Sequence, residues 1–577
     1  MTKITKTQKD YIDFLDNLES KITTLPAINS KSFKLDDAKT ILKETELLVP
    51  IVGGFSAGKS TLLNSFLGKD YLGVALRPET ALATELRYGF SEYIELVDEK
   101  GQTTKLDIND KDSIKDLASQ NSYARFYINN QKLKDIEPII LVDMPGFESP
   151  QSAHNKAILE YIQRGVFFIV LQDVLNGNLT ASILRELDNL QTFKKRFRFF
   201  LSKVNLKPKT EVEEIISYVQ NQLSDTLDVQ DKVLTIDKDG GKNLEKIIKE
   251  IDPENLSKEI FLPSLKEIFR DVKEKINTSI SALEQNESQN QEDLDELNRA
   301  IARLEKEQDS MLAEIKRKYD KASVESILSN LGSALSRSID ELARSYKTSG
   351  QAGLEITIND ISQNAISKSV SSIIKDINID ISSIIGANLS SLQNTMNRLS
   401  QSTDFTALLS AKSPEYSAFF NNILQKTEGL ASTLKSRGGG LATIGTLLTG
   451  LNPVLKIASL LLTLLPDILS SMFGPSQEEK ERMQLEKIKE EISCSVIPQV
   501  KASMRKPITN LLDEQIDTSM QAAIDAFKQN IDQKRSAITA IQKEKESKKE
   551  NVHKELENYK TVLADITSLA TQTIFKG

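Results

Sequence analysis

Residues 50–61 read PIVGGFSAGKST, and no other run constrains the fold of this chain as tightly. An apolar strand has to end in a glycine-rich turn, and a helix has to start at once. Gly53, four intervening residues, Gly58, Lys59 and Ser60 carry the spacing of a phosphate-binding loop. Gly53, Gly54, Phe55, Ser56, Ala57 and Gly58 turn backbone N–H groups into one concavity. The helix beginning near Lys59 adds its positive end. Lys59 suits the β and γ phosphates of a nucleoside triphosphate and the Ser60 hydroxyl suits Mg²⁺, with Thr61 beside them in the nucleotide-binding set.

A second element fits the first. Residues 139–146 read IILVDMPG, an apolar strand that ends in Asp143 and turns at Pro145-Gly146. Asp143 suits a carboxylate that holds Mg²⁺ through water, and the Gly146 amide can sense a γ-phosphate. A strand-end Asp-x-Pro-Gly about eighty residues after a phosphate-binding loop is a joint signal for a GTPase-type switch.

These motifs resemble those of the dynamin-like GTPases, in particular the bacterial branch with its LeoA-type members. GGFSAGKST resembles the family's phosphate loop, with Ser56 at its serine position. RPETALATELRYG (77–89) resembles its first switch. That resemblance makes Thr80 the threonine that closes on Mg²⁺ and γ-phosphate, with Thr84 as the alternative. It implies that Ser56, Thr80 and Gly146 position water and charge without a catalytic glutamine. Phe147 indeed follows Gly146 where Ras-like enzymes carry glutamine. The match covers roughly residues 46–255; beyond that it rests on architecture.

The base-reading motif departs from the family pattern. After RFRFFL comes Ser202-Lys203-Val204-Asn205, where the family has T/N-K-x-D. Lys203 can still lie over a purine. Asn205 offers one acceptor oxygen where an Asp would take both guanine hydrogens, so guanine affinity is expected to be weak. Xanthine would suit Asn205 better. The bland alternative makes Asn205 a turn former.

The fold class expected from these runs is multidomain, α/β plus all-α. Short apolar runs at Glu46–Val52, Thr84–Tyr88, Tyr93–Val97, Ile139–Asp143, Val166–Leu171, Arg198–Leu201 and Val233–Ile236 alternate with helical stretches. That pattern predicts a phosphate-loop head with a mixed, mostly parallel sheet. Residues 1–45 read as a helical segment that packs with the neck, 46–255 as the GTPase domain, and 256–436 as an ascending helical neck and trunk. Residues 437–476 read as an apolar tip, and 477–577 as the returning trunk. Stripes at Leu294, Leu297, Ile301, Leu304, Gln308, Met311 and Ile315, and at Ile516, Met520, Ile524, Phe527, Ile531 and Ile538, predict long, coiled-coil-like helices packed lengthwise. Gln542–Asn551 breaks the second stripe and reads as a solvated helix stretch or a hinge.

The tip, 438–475, carries only Lys456 and Asp467 as charges. Asn452-Pro453 divides it into two runs too short for the ~20 residues that a bilayer core requires. Two short apolar helices then form a hairpin. Leu447, Leu448, Leu451, Leu460, Leu461, Leu464 and Leu465 are its candidate lipid contacts, with Lys456 and Arg437 facing anionic headgroups. The alternative is a buried core hairpin.

Composition narrows the remainder. The 577 residues carry a formal net charge of −8, which argues against a dedicated nucleic-acid binder. One cysteine, Cys494, and two histidines, His154 and His553, exclude a disulfide framework and a His/Cys-rich metal site. Cys494 is expected to be buried or half-buried, and His154 to be a loop residue. The N-terminus lacks the apolar core of a signal peptide, so a cytoplasmic, peripherally membrane-associated protein is expected.

The functional expectation is a dynamin-like GTPase with GTP/GDP and Mg²⁺ as cofactors and low basal turnover. Nucleotide-driven self-association through the GTPase domains, or with a second dynamin-like chain, would be coupled to membrane binding and remodelling through the tip. The alternatives are a signalling GTPase acting on a protein partner and a nucleotide-gated membrane scaffold with negligible turnover. The base motif supplies a direct test. An unmatched buried donor costs ~1–3 kcal/mol, so Asn205→Asp is expected to tighten GTP binding roughly tenfold to a hundredfold by calorimetry. Unchanged affinity removes Asn205 as the base reader.

Overall fold

The computed structural model describes residues 3–54, 56–72, 82–98, 101–108, 117, 121–146, 161, 164–192, 195–237, 240–389, 395, 399, 469, 485–547 and 552–576. The chain opens with α1 (Lys6–Ile22), whose N-terminus is closed by a reciprocal capping box between Thr5 and Gln8. After α2 (Leu35–Glu44) comes β1 (Leu47–Gly53), with all seven residues buried. The head continues with α3 (Lys59–Leu67), β2 (Ala83–Tyr88), β3 (Tyr93–Val97), β4 (Thr103–Leu106) and β5 (Tyr123–Ile128). Then follow α4 (Gln131–Asp135), β6 (Ile139–Asp143), β7 (Phe167–Asp173), α5 (Ala181–Thr192) and β8 (Arg196–Ser202). It closes with α6 (Lys209–Leu227), β9 (Leu234–Thr235) and α7 (Gly241–Glu250). The helical body comprises α8 (Pro253–Glu284), α9 (Glu287–Lys318), α10 (Lys321–Arg337) and α11 (Ile339–Leu389). Its returning part is α12 (Leu485–Glu491), a π-helical turn (Ile492–Val496), α13 (Ile497–Ser547) and α14 (Val552–Thr573).

The nine strands form one sheet in the order β4-β3-β5-β2-β6-β1-β7-β8-β9. From β6 to β9 every neighbour is parallel, as is the β2–β5 pair; β2–β6, β3–β5 and β3–β4 are antiparallel. Mixed, mostly parallel pairing is therefore what the alternating apolar runs produce. One face packs on α3 and α7, with Leu62, Phe66, Leu244 and Ile248 in its core. The other packs on Tyr161, α5 and α6.

The helical body has its own apolar stripes. Leu297, Leu304, Met311 and Ile315 of α9 are buried together with Ile516, Met520, Ile524 and Ile531 of α13. Ion pairs between Lys316 and Asp517 at 2.6 Å and between Lys528 and Glu305 at 3.0 Å flank that seam. The same core takes Tyr11, Phe14, Leu15 and Leu18 of α1 and Tyr559 and Ile566 of α14. α11 is not one straight rod. Gly350, at φ 64° and ψ −150°, breaks it with a backbone conformation that a side chain would oppose. Lys545 is not merely solvated; its ammonium donates to the Ala282 and Gln285 carbonyls at the end of α8, at 2.7 and 2.6 Å. Cys494 corrects an expectation. It is exposed, because the π-helical turn puts it outside the stripe formed by Ile492 and Val496.

Among the described residues, polar contacts gather at the neck, where α1, α2 and α8 meet, and between α5 of the head and α11 of the body. At the neck, the Glu254 carboxylate accepts from the Lys6 and Thr7 amides at 3.0 and 2.6 Å, and Gln8 donates to the Leu42 carbonyl at 2.7 Å. Further along, Arg185 of α5 makes a two-pronged contact with Glu341 of α11 at 3.2 and 3.1 Å. Asp188 accepts from Asn364 at 2.9 Å and pairs with Lys368 at 2.7 Å.

Inside the head lies one buried ion cluster. Glu85 of β2 has no solvent exposure and meets Arg87, Arg125 and Arg164. Burial opposes its charge, but Arg164, Arg87 and Arg125 together outweigh it and hold the carboxyl at about 2, against 4.5 ordinarily. A depressed carboxyl stabilises the fold above its unfolded value and loses that contribution as pH falls through its folded one. The contribution is about 3 kcal/mol, present above pH 4.5 and lost toward pH 2. Denaturant melts from pH 7 to pH 3 are expected to show this loss in the native protein. Glu85→Gln should start lower by about that amount and fall less with acid.

Candidate nucleotide-binding site

The loop between β1 and α3 is shaped by close backbone approach. A Cβ at Gly53 would lie 2.3 Å from the Leu171 carbonyl oxygen of β7, so only glycine lets β1 and β7 run this close. Gly58 sits at φ 84° and ends the turn, which the Ala57 amide closes on the Gly54 carbonyl at 3.1 Å. α3 has no acidic residue in its first turn and no side-chain cap. Its leading N–H groups therefore present positive charge to an incoming anion. Lys59 is buried, and its ammonium donates to the Gly53 and Gly54 carbonyls at 3.0 and 2.9 Å. That folds it across the loop, within the concavity a phosphate would enter. Ser56 and Thr61 are exposed at the mouth.

Asp143 ends β6, next to β1 in the sheet, with Ile51 as its register partner. The Ser60 hydroxyl donates to Asp143 Oδ2 at 2.7 Å. Asp143 Oδ1 is sealed from solvent and has no hydrogen-bond partner among the described residues, although the residue as a whole is part-exposed. Burial pushes the Asp143 carboxyl up, while the Ser60 hydrogen bond and the charge of Lys59 pull it down. A sealed, unpartnered carboxylate oxygen beside a serine hydroxyl is the donor set of a hard divalent cation, so these residues fit Mg²⁺. The chain continues through Met144, whose amide reaches the Ile51 carbonyl at 3.3 Å, to Gly146, which is buried.

The base side adds Asp173 to the residues expected from the sequence. Lys203 adopts a left-handed conformation (φ 58°, ψ 29°) at the end of β8, and its ammonium pairs with Asp173 Oδ2 at 2.6 Å. Asp173 ends β7 opposite Ser202 and also accepts from the Leu175 amide at 2.9 Å. Sequence reading passed over Asp173; an acid at the end of an apolar strand beside the lysine motif was its signal. Asn205 is exposed within a 3₁₀ turn, Val204–Leu206.

Other expected residues are placed as follows. Phe55, Thr80, Phe147 and His154 lie outside the described residues. Thr84, the alternative to Thr80, is a buried β2 residue directly opposite Asp143, its hydroxyl directed at the Leu82 carbonyl at 3.4 Å. Leu447, Leu448, Leu451, Lys456, Leu460, Leu461, Leu464 and Leu465 also lie outside them; of 437–476 the structure describes Leu469, buried in the core with Ile488 and Val496. Among the described residues no helix is long and apolar enough to cross a membrane. β1 and β7 leave no room for a side chain at Gly53. Gly53→Ala is thus expected to destabilise the protein by about 1–3 kcal/mol in denaturant melts and to abolish nucleotide binding.

Comparison with known proteins places this geometry. The model of the dynamin family matches residues 49–204, the span from β1 to the lysine motif. Dynamin-like protein 1 of Campylobacter jejuni is 27% identical over 261 residues, covering 38% of this chain and 36% of its own. A probable transmembrane GTPase, FZO-like and chloroplastic, from Arabidopsis thaliana is 28% identical over 201 residues, covering 35% of this chain and 20% of its own. The chain spans half the length or less of these curated relatives. The solved structure of the LeoA bacterial dynamin GTPase from ETEC aligns over 99% of this chain and 100% of its own, at 13% identity and a TM-score of 0.33. Residues 49–204, the head from β1 to the lysine motif, are a dynamin-family domain.

Proposed function

We propose that the chain binds and hydrolyses GTP with Mg²⁺ and couples that cycle to membrane attachment. The observation that carries the reading is the triangle of Lys59, Ser60 and Asp143, in which one buried carboxylate oxygen lacks a partner among the described residues. Lys59 exchanges its two carbonyl contacts for phosphate oxygens. Ser60 and Asp143 are the residues that would hold Mg²⁺, which when bound would neutralise phosphate charge. The α3 N-terminus and the loop amides from Gly53 to Gly58 bind the phosphates. Thr80 closes over the γ-phosphate, and Ser56 and Gly146 orient the attacking water. Lys203, held by Asp173, lies along the purine, with Asn205 at its edge.

We assign the helical body the second half of the task. The segment 437–476 is the most apolar run of the chain, and the family includes a solved bacterial dynamin pair described as sensing and tethering membranes at long range. Lipid contact at the 437–476 tip, self-association through the head, and peripheral membrane association follow from that reading.

Phosphate release from GTP, with and without anionic liposomes, tests both halves. Turnover stimulated by liposomes and abolished by Lys59→Ala is the expected outcome. Turnover that survives Lys59→Ala in a clean preparation removes the phosphate-loop assignment. Leu448→Asp with Leu461→Asp should end liposome binding in flotation while the far-UV circular dichroism is kept; loss of folding instead makes the segment core.

A further inference from the structure

The Glu85 cluster does more than fill the head. Glu85 stands one residue after Thr84, which faces Asp143 across the β2–β6 pair. Both of its oxygens are used. Oε1 accepts from the Tyr161 hydroxyl and from Arg164 Nη2, each at 2.8 Å. Oε2 accepts from Arg87 Nε at 3.1 Å and faces Arg125 Nε at 3.4 Å. Tyr161 and Arg164 come just after residues 147–160, the stretch that leaves the site at Asp143–Gly146. β2 is the strand into which residues 73–81 run. Strand β2 and the chain at Tyr161 and Arg164 therefore meet on one carboxylate. Arg87 hands the network on to Glu46, at 2.7 and 2.6 Å, the residue before β1 and the phosphate loop.

Holding these elements together does not require charge. A buried ion cluster loses much of its attraction to desolvation, and apolar packing of the same volume serves stability as well. What a carboxylate with directed donors adds is a fixed registry between elements. Tyr161 is seated against Tyr123 with ring planes at 87°, and Arg164 lies over both rings at 4.8 Å, so the donors are themselves held in place.

We propose that Glu85 is a positioning residue for nucleotide hydrolysis. It locks Tyr161 and Arg164 onto β2, the strand whose Thr84 faces Asp143, so that β2 and the metal carboxylate meet the nucleotide in fixed relation. This rests on the GTPase reading above and extends it to a residue that touches neither nucleotide nor metal.

The test uses the full chain with Tyr161→Phe and Arg164→Gln, singly and together, and leaves Glu85 in place because its loss threatens folding. Two measurements are made with GTP or a non-hydrolysable GTP analogue and Mg²⁺: turnover alongside nucleotide affinity, and amide hydrogen exchange over residues 83–88 and 164–171. The double variant is expected to bind nucleotide within about twofold of the native protein while kcat falls about tenfold to a hundredfold, the scale of a small misplacement at the reacting centre. In the native protein, nucleotide should slow exchange in both stretches; in the double variant only 83–88 should respond. Native kcat with nucleotide protection kept in both stretches overturns the proposal. So does a double variant whose 164–171 stretch exchanges fast without nucleotide, since that marks a purely structural role. If the native protein itself releases no phosphate, the GTPase reading fails, and the exchange measurement still decides whether Glu85 couples the two stretches.

Discussion

The approach of β1 to β7 at Gly53 sets the geometry on which the rest of the head depends. With no side chain there, the end of β1 lies against the Leu171 carbonyl, and the chain turns through Gly58 straight into α3. β6 runs on the other side of β1 in parallel register, so Asp143 arrives level with Ile51. α3 then carries Ser60 to within 2.7 Å of Asp143. Three strands and one helix are thus fixed by a contact that one methyl group would destroy. Gly241 plays a related part at the back. A Cβ there would lie 2.4 Å from the Ser65 carbonyl, so α7 can seat on α3 only through glycine.

Local chemistry was legible in the sequence, and non-local chemistry was not. The phosphate loop and Asp-x-Pro-Gly are consecutive residues whose spacing carries the function, and Ile139–Asp143 is the strand foreseen from its apolar run. The stripes of α9 and α13 were legible because a helical period repeats over many turns. β4 was invisible because Thr103–Leu106 is a polar, largely exposed edge strand with no apolar alternation to betray it. β5 was obscured by Arg125, a charge in an otherwise buried strand. That charge makes sense beside Glu85 and Glu95, which sit on the two neighbouring strands. Lys203 was read as a base contact, but its partner Asp173 comes from β7, and only the parallel register of β7 with β8 brings them together. Cys494 was misread because a π-helical turn shifts the phase of a stripe without changing its composition.

Polar partners at the neck tie together α1, α2 and α8, the helices through which the chain enters and leaves the head. α1 begins with Thr5 and Gln8 satisfying each other's groups, and Thr5 Oγ1 also reaches Ser257 Oγ at 2.9 Å. Glu254 supplies the Lys6 and Thr7 amides with an acceptor, and Gln8 takes the last carbonyls of α2. The entry to the head after α2 and the exit before α8 are therefore anchored on the same turn of α1. Behind that turn, Phe14, Leu15, Leu18 and Ile22 are buried with Phe269 and Ile566 in one apolar core.

The two contact regions differ in kind, and the difference ranks them. Withdrawing α1 exposes four large apolar side chains, each worth ~1.5–3 kcal/mol of burial. The α5–α11 contact is carried by Arg185–Glu341 and by Asp188 with Asn364 and Lys368. Lys368 is more than half exposed and Glu341 one-third exposed, so each pair has one partner open to solvent, while Arg185 and Asp188 are largely covered. Ion pairs open to solvent contribute ~0–1 kcal/mol and weaken with salt. Separating α5 from α11 thus costs far less than separating α1 from its bundle. The packing of α1 is the firmer of the two, and the contact between α5 and α11 is the one that ionic strength loosens first.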